Sequence, residues 1–413
     1  MLKCINDKKF QKRAKRRKRW LFHATDFQSL MYFNFTFCKI LGIFPYKIEA
    51  STFETSKLRY ILWIIVACAA CIYELMMFYV LNFSGRVRVE VPKTITYNMH
   101  FLLGIFIMVV WYVLTGPRMR LLQTVQKISW RLPPKSYQNL SKLIHAKDIF
   151  GFLVLLWLIL MVFLNTSDMV IDTLYEPFRV YIAMIAFQMD MLYMNCVCVL
   201  KACLKEINNN LENLQEFVVN DISRRVYHKQ RNPFRLIEII ALKKQYLAIN
   251  DAVQMLKMVF SLQLLVAIVM VFKQITFFLY FHVVQWQGEI SIRLDKQIGI
   301  EYFVSYITYY LLRITLIVWA CETGKNQAVE IGTTIHEVLN ITNNEKIKYE
   351  LRLFSLQILH CDNTFSAKGL TVDAKLLTAM VSSIATYLLI LIQFLGMSHS
   401  YNGKTAINVT EVI

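Results

Sequence analysis

Glycine is scarce in this chain, with 12 in 413 residues. No pair of glycine-interrupted hydrophobic segments stands in corresponding halves, and no internal repeat is visible, so the broken-helix plan of repeat-built transporters is absent. Enzyme signatures are missing as well. There is no P-loop, no His-Glu-x-x-His and no Gly-x-Ser-x-Gly; no catalytic residue, cofactor or metal site is expected. The basic run KKFQKRAKRRKRW near the N-terminus is not followed by a short apolar core and small-residue cleavage site, so a secretory signal peptide is not expected.

What the chain does have is apolar length. It is 56% hydrophobic, with mean hydropathy +0.42 and formal net charge +18, a composition that points to a polytopic membrane protein. Seven segments are long enough, or nearly so, to cross a bilayer: Arg59–Phe83, Tyr97–Leu114, Ile149–Leu164, Pro177–Leu200, Met258–Val284, Tyr302–Cys321 and Leu376–Met397. The third is short and is expected to begin earlier, near Leu143.

Lysine and arginine concentrate in residues 1–58, 116–148, 201–256 and 321–375, whereas Asn165–Glu176 has none. The positive-inside rule therefore places the N-terminus in the cytoplasm and, after seven spans, the C-terminus outside. The basic N-terminal run reads as a topology anchor in that setting, and nucleic acid is not expected as a partner. A G-protein-coupled receptor runs in the opposite sense, and neither an Asp-Arg-Tyr after span three nor an Asn-Pro-x-x-Tyr in span seven is present.

The nine cysteines fall in spans or cytoplasmic stretches, so no structural disulfide is expected. Cys196, Cys198 and Cys203 lie close together without a histidine, and buried small hydrophobes account for them. Asn165 is the best glycosylation candidate among the sequons.

The expected organisation follows. Residues 1–58 form a basic cytoplasmic region and 59–200 hold spans one to four. Residues 201–257 are a cytoplasmic helical extension and 258–321 hold spans five and six. Residues 322–375 carry cytoplasmic anchor helices, 376–397 the last span and 398–413 an outer tail. In the first extension Leu204, Ile207, Leu211, Leu214, Val218 and Ile222 recur by three and four, an amphipathic helix continuing span four. Phe234, Ile237, Ile240 and Leu247 give a second helical pattern leading into span five. Val329–Leu339 and Lys346–His360 give two more, and such helices suit a cytoplasmic collar packed between subunits.

The last span carries the most specific pattern, Ala385–Gly396, ATYLLILIQFLG. Thr386 and Gln393 are seven residues apart, about two helical turns, so they share a face with Ile390 between them. Tyr387, Leu391 and Phe394 form the adjacent stripe. A glutamine this deep in an apolar run needs a partner helix or water, so it is either interhelical glue or part of a pore-lining stripe. Thr-Tyr, five apolar residues and Gln-Phe in the last span resemble the signature of insect gustatory receptors, and Phe365-Ser-Ala-Lys-Gly369 resembles that family's lead-in. The resemblance implies an all-helical tetramer whose last helices line the pore, with Thr386, Tyr387, Gln393 and Phe394 at the motif positions and a gate near Gln393 and Phe394. It also implies weakly selective cation conduction. Leu388 stands where the sugar-receptor branch typically has Glu, which argues against that branch and leaves fructose-type, bitter-type and internal-sensor branches open.

Charges inside apolar runs mark further candidates. Glu74, Asp190, Lys273 and Arg313 are costly in lipid unless paired or facing water. Two acids and two bases fit internal ion pairs. They also fit a polar ligand cavity lined by Asp190, Lys273, Gln274, Tyr306, Tyr309 and Tyr310. Tyrosines 302, 306, 309 and 310, spaced by three and four, offer stacking area and hydroxyls to a polyhydroxylated or alkaloid-like molecule; they serve equally as interfacial belt residues. The expected partners are a small-molecule tastant (a sugar such as fructose, or a bitter compound), the lipid bilayer, and a homo- or heterotetramer with other gustatory receptors. The expected location is the plasma membrane. Two alternatives stay open: an odorant-receptor-type channel subunit or co-receptor, and a secondary transporter with a midplane site at Asp190 and Lys273.

Overall fold

The computed structural model of the chain describes residues 23–43, 46–49, 52–85, 91–165, 170–223, 232–287, 300–361, 364–367 and 369–410. The fold is nearly all-helical, and seven helices are long and apolar enough to cross a membrane. They make the chain a multi-pass membrane protein.

Two short helices come first, α1 (Phe27–Leu30) and α2 (Tyr32–Ile40). A reciprocal capping box starts them, with Asp26 accepting from the Ser29 amide and the Ser29 hydroxyl accepting from the Asp26 amide. Within the expected basic N-terminal region 1–58, residues 24–43 pack into the bundle. Phe27, Leu30, Met31, Phe35 and Cys38 are buried, and Gln188 of the fourth span donates to the Asn34 carbonyl at 3.0 Å. The basic run itself lies outside the described residues. An antiparallel hairpin, β1 (Tyr46–Glu49) and β2 (Thr52–Thr55), follows.

The spans are α3 (Lys57–Asn82), α4 (Val91–Val113), α6 (Pro134–Asn165), α7 (Val170–Ser223), α8 (Asn232–Gln287), α9 (Ile300–Ile341) and α11 (Ala374–Thr410); α5 (Thr115–Ser129) and α10 (Glu345–His360) lie between them. The third span begins at Pro134, so its N-terminal part is a polar helical leg. Asn165 is its last residue.

At 1.5 Å per residue α7 is about 80 Å long, far more than a bilayer needs. The excess continues inward as the Leu204 stripe anticipates: Leu204, Ile207, Leu211 and Leu214 are buried. The helix is the axis of the subunit, buried along most of its span and packed against α9. By contrast α3 is apolar on all sides and buries only Glu74 and Met77. A helix like this faces lipid.

The N-terminal part of α8 shows two apolar faces. Ile239, Leu242, Tyr246 and Ile249 are buried, while Phe234, Ile237 and Leu247 are exposed. The pattern read from the sequence is therefore mostly the outward one. Val329–Leu339 is not a separate helix but the end of α9, with Ile331, Ile335 and Val338 buried. α10 packs beside it through Ile347, Leu351 and Phe354 and is capped by Asn344.

A short hairpin, β3 (Ser366–Ala367) and β4 (Leu370–Thr371), leads into α11. Gly369 between the strands has φ +90°, a conformation that glycine adopts without strain.

Candidate functional site

The base of the last helix is fixed to α9. Glu322 Oε2 accepts from the Ala374 amide at 2.9 Å and Asp373 Oδ1 accepts from the Leu376 amide at 3.2 Å, so two free N–H groups of the first turn are satisfied. The Phe365 ring lies against Gly324 of α9, where a β-carbon would stand 3.0 Å from Phe365 Cε2.

Beyond this base α11 buries one stripe, Leu376, Met380 and Ile384, spaced by four. All five residues read as pore or gate positions, Thr386, Tyr387, Ile390, Gln393 and Phe394, are exposed in the single subunit. Phe394 is 64% exposed. The Thr386 hydroxyl donates back to the Ser382 carbonyl at 2.9 Å. Tyr387 touches the subunit, its ring edge-on to Phe272 of α8 at 5.8 Å.

The charges inside the spans sort differently. Asp190 of α7 accepts from Arg313 Nε at 2.5 Å, with both side chains almost fully buried. Glu74 has no partner for either carboxyl oxygen among the described residues and packs against the bare backbone of Gly104 on α4. Lys273 reaches the Thr96 carbonyl at 3.4 Å. Asp190 and Lys273 therefore do not form one site.

Two clefts lie among α4, α7, α8 and α9, sharing Ala186 and Arg313. The smaller, about 350 Å³ including space open to the surroundings, has Trp111, Asp190 and Gln263 on its wall. The larger, about 530 Å³ including space open to the surroundings, also reaches α6 and is lined by His100, Arg179, Gln274, Tyr309, Tyr310 and Arg313 among others. The sequence-predicted ligand residues thus divide. Gln274, Tyr309 and Tyr310 line the larger cleft, and Asp190 lines the smaller. Lys273 and Tyr306 line neither. Tyr306 is stacked on Phe278 at 3.9 Å and donates to Gln274 Oε1 at 2.7 Å, which orients the amide.

On the larger cleft both ring nitrogens of His100 are buried without a hydrogen-bond partner among the described residues, while the Tyr309 hydroxyl and Arg313 Nη2, whose side chains lie beside each other, make no bond of good geometry. Buried polar atoms left open at one cleft are what a polar ligand or water would satisfy. His100 and Arg179 escaped the sequence reading. The signal for His100 was present, a lone ionisable residue in the apolar run of span two. Arg179, paired with Glu176 at 2.6 Å, stands too near a span end to be marked as intramembrane. Among the described residues no group of three or more His, Cys, Asp or Glu could hold a metal.

The architecture is that of a seven-span receptor of the helical-bundle class, extended inward by long helices. The profile of a family described as "7tm Chemosensory receptor" matches residues 31–395. The chain belongs to this chemosensory receptor family, and the likeness to gustatory receptors read from the last span is borne out. In Drosophila melanogaster, putative gustatory receptor 28b is 31% identical over 144 residues, 34% of this chain and 30% of that protein. Gustatory receptor for sugar taste 43a is 32% identical over 90 residues, 22% of this chain and 21% of that protein. The matched segments thus span less than a third of these relatives. The structure of olfactory receptor OR5 from Machilis hrabei in complex with eugenol superposes with TM-score 0.64 at 11% identity, covering 89% of this chain and 98% of that one; without eugenol the TM-score is 0.65. The fold is shared with that receptor.

Proposed function

We propose that the chain is a subunit of a tastant-gated, weakly selective cation channel of the gustatory type, formed by four copies or by this chain with related receptors around α11. The observation that carries this reading is the exposed motif face of α11. Gln393 would be costly against lipid, whereas its face is stabilised if it meets water on a pore axis. An apolar constriction from Phe394 in four subunits closes such a pore by dewetting, and rotating Gln393 toward the axis rehydrates it. The exposed Phe234, Ile237 and Leu247 of α8 supply the apolar contact surface for a cytoplasmic collar between subunits. The larger cleft is the ligand site. It offers the Tyr309 hydroxyl, Arg313 Nη2 and the His100 ring to a small molecule with several polar groups, with Tyr310 for stacking.

The test is whole-cell current from the chain expressed alone and shown to be at the surface, challenged with fructose, other sugars and a bitter panel, beside Gln393→Ala and Phe394→Ala. A ligand-evoked cation current altered by either substitution supports the reading. Silence points to an obligate partner subunit or to a ligand outside the panel. Currents untouched by both changes place the pore elsewhere, and saturable substrate flux without unitary currents makes the protein a transporter.

A further inference from the structure

From Val91 through Lys147 the sequence contains no aspartate or glutamate, while it carries Lys93, Arg118, Arg120, Lys127, Arg131, Lys135, Lys142 and Lys147. The stretch covers α4, α5, the turn after α5, and the inward leg of α6. Topology alone explains the cations but not the missing acids, because acidic residues contribute little to the positive-inside rule. The rest of the cytoplasmic collar keeps mixed charge, as in the pairs Lys243–Glu350 and Lys348–Glu345.

Five of these cations, Arg120, Lys127, Arg131, Lys135 and Lys142, are exposed. No ion pair of theirs occurs among the described residues. The helix explains their placement. Leu121, Leu122, Val125 and Ile128 are buried as α5 packs on α7 and α8, leaving Arg120, Thr124, Lys127 and Arg131 along the opposite face at a spacing of three and four. The Tyr137 hydroxyl donates to the Ser129 carbonyl at 2.6 Å, tying α6 to the end of α5.

The height of these groups is set by the spans. Arg120 follows Leu114 by six residues, about 9 Å of helix, and Lys142 stands at the expected start of span three, near Leu143. Stems of this length that reach back toward the bilayer would bring both heads to the headgroup layer of the cytoplasmic leaflet. Lys127, Arg131 and Lys135 continue the positive field inward. The Tyr112 hydroxyl donates to the Tyr60 carbonyl at 3.1 Å, which sets the foot of α3, with exposed Lys57 and Arg59, beside the start of α5.

We propose that the exposed cations of α5, the turn after it and the inward leg of α6 bind the anionic headgroups of phospholipids in the cytoplasmic leaflet, polyphosphorylated inositol lipids most tightly. A set of exposed cations on a stretch with no acid of its own is complementary to clustered phosphates, and each cation at headgroup height adds to the attraction. This site is remote from the tastant cleft and does not depend on the channel reading.

The test uses the full-length protein, purified in a neutral detergent, and fluorescence polarisation of a fluorescent short-chain phosphatidylinositol bisphosphate. Short-chain phosphatidylserine, phosphatidylcholine and a polyglutamate peptide are competitors. The expected order is inositol lipid, then phosphatidylserine, with no competition from phosphatidylcholine, and binding that weakens steeply with salt. Neutralising Arg120, Lys127, Arg131, Lys135 and Lys142 to Gln together weakens binding about tenfold or more. Arg120→Lys with Arg131→Lys preserves it, and Lys346→Gln with Lys375→Gln in the collar leaves it unchanged. Size-exclusion elution checks the assembly of each variant, and the salt series on the parent protein needs no variant at all. Equal binding by the five-fold variant, equal competition by phosphatidylcholine, or salt-insensitive binding overturns the proposal. Polyglutamate competing better than either anionic lipid overturns it in favour of an acidic protein partner.

Discussion

The carboxyl of Glu74 fills the space that a β-carbon on Gly104 would occupy. α3 is otherwise a lipid-facing helix, so this notch and Met77 are where it is keyed into the bundle. Gly104→Ala places a methyl group on the carboxyl. It should cost about 1–3 kcal/mol, the usual penalty for overpacking, read as a lower Tm of the detergent-solubilised protein. Adding Glu74→Ala removes the obstruction, so the double variant should be more stable than the sum of the single changes allows. Additive losses would mean that the two residues do not meet.

The pair of Asp190 and Arg313 ties α7 to α9 beside both clefts. Removing one partner leaves an uncompensated charge in the bundle and should cost about 3–5 kcal/mol. Asp190→Leu with Arg313→Met replaces the pair by apolar groups and should recover most of the loss. Thermal melts of the two single variants and the double variant read this directly. A double variant as unstable as Asp190→Leu alone would refute the pairing.

Hydropathy carried the seven spans, because it is a local property of the sequence. The apolar-run argument found Asp190 and Arg313 but not that they pair, since Lys273 was an equally good partner until the helices were packed. Two strips of apolar residues on α8 look alike in sequence; only the fold shows that Ile239 and Tyr246 face inward while Phe234 and Ile237 face out. The docking of α1 and α2 stayed hidden because the basic run dominates that region, whereas Phe27, Leu30, Met31, Phe35 and Cys38 already had helical spacing. The motif on α11 was the most legible feature. Its exposure in one subunit fits the pore reading, while the cleft residue His100 had to be found from the packing.

The cap that Glu322 provides for α11 should be worth about 0.5–2 kcal/mol. Glu322→Ala should speed amide hydrogen exchange in the first turn after Ala374, leaving exchange in α7 unchanged. Glu322→Gln keeps an acceptor oxygen and should restore much of the protection. If Ala and Gln behave alike, the bond to the Ala374 amide does not hold the helix.

The contact between Phe272 and Tyr387 joins the last helix to α8 two residues from Gln274, which lines the larger cleft. On the proposed channel reading, a ligand that moves α8 would be felt on α11 through this contact. An aromatic pair of this geometry is worth about 0.5–1.5 kcal/mol beyond its area. If the contact is made more strongly in one gating state, losing it shifts the balance of states by about two- to tenfold. Phe272→Ala should therefore shift the half-maximal ligand concentration by that factor at unchanged surface expression, and Phe272→Leu should shift it less. Tyr387→Phe keeps the ring and should behave as the parent. Since Tyr387 is 54% exposed in the single subunit, Tyr387→Ala also removes contacts the tyrosine makes in the assembly and should exceed the effect of Phe272→Ala. Equal dose–response curves for the parent and Phe272→Ala would show that the ring contact does not transmit the ligand signal, leaving the α9–α11 base formed by Glu322, Gly324 and Phe365 as the route.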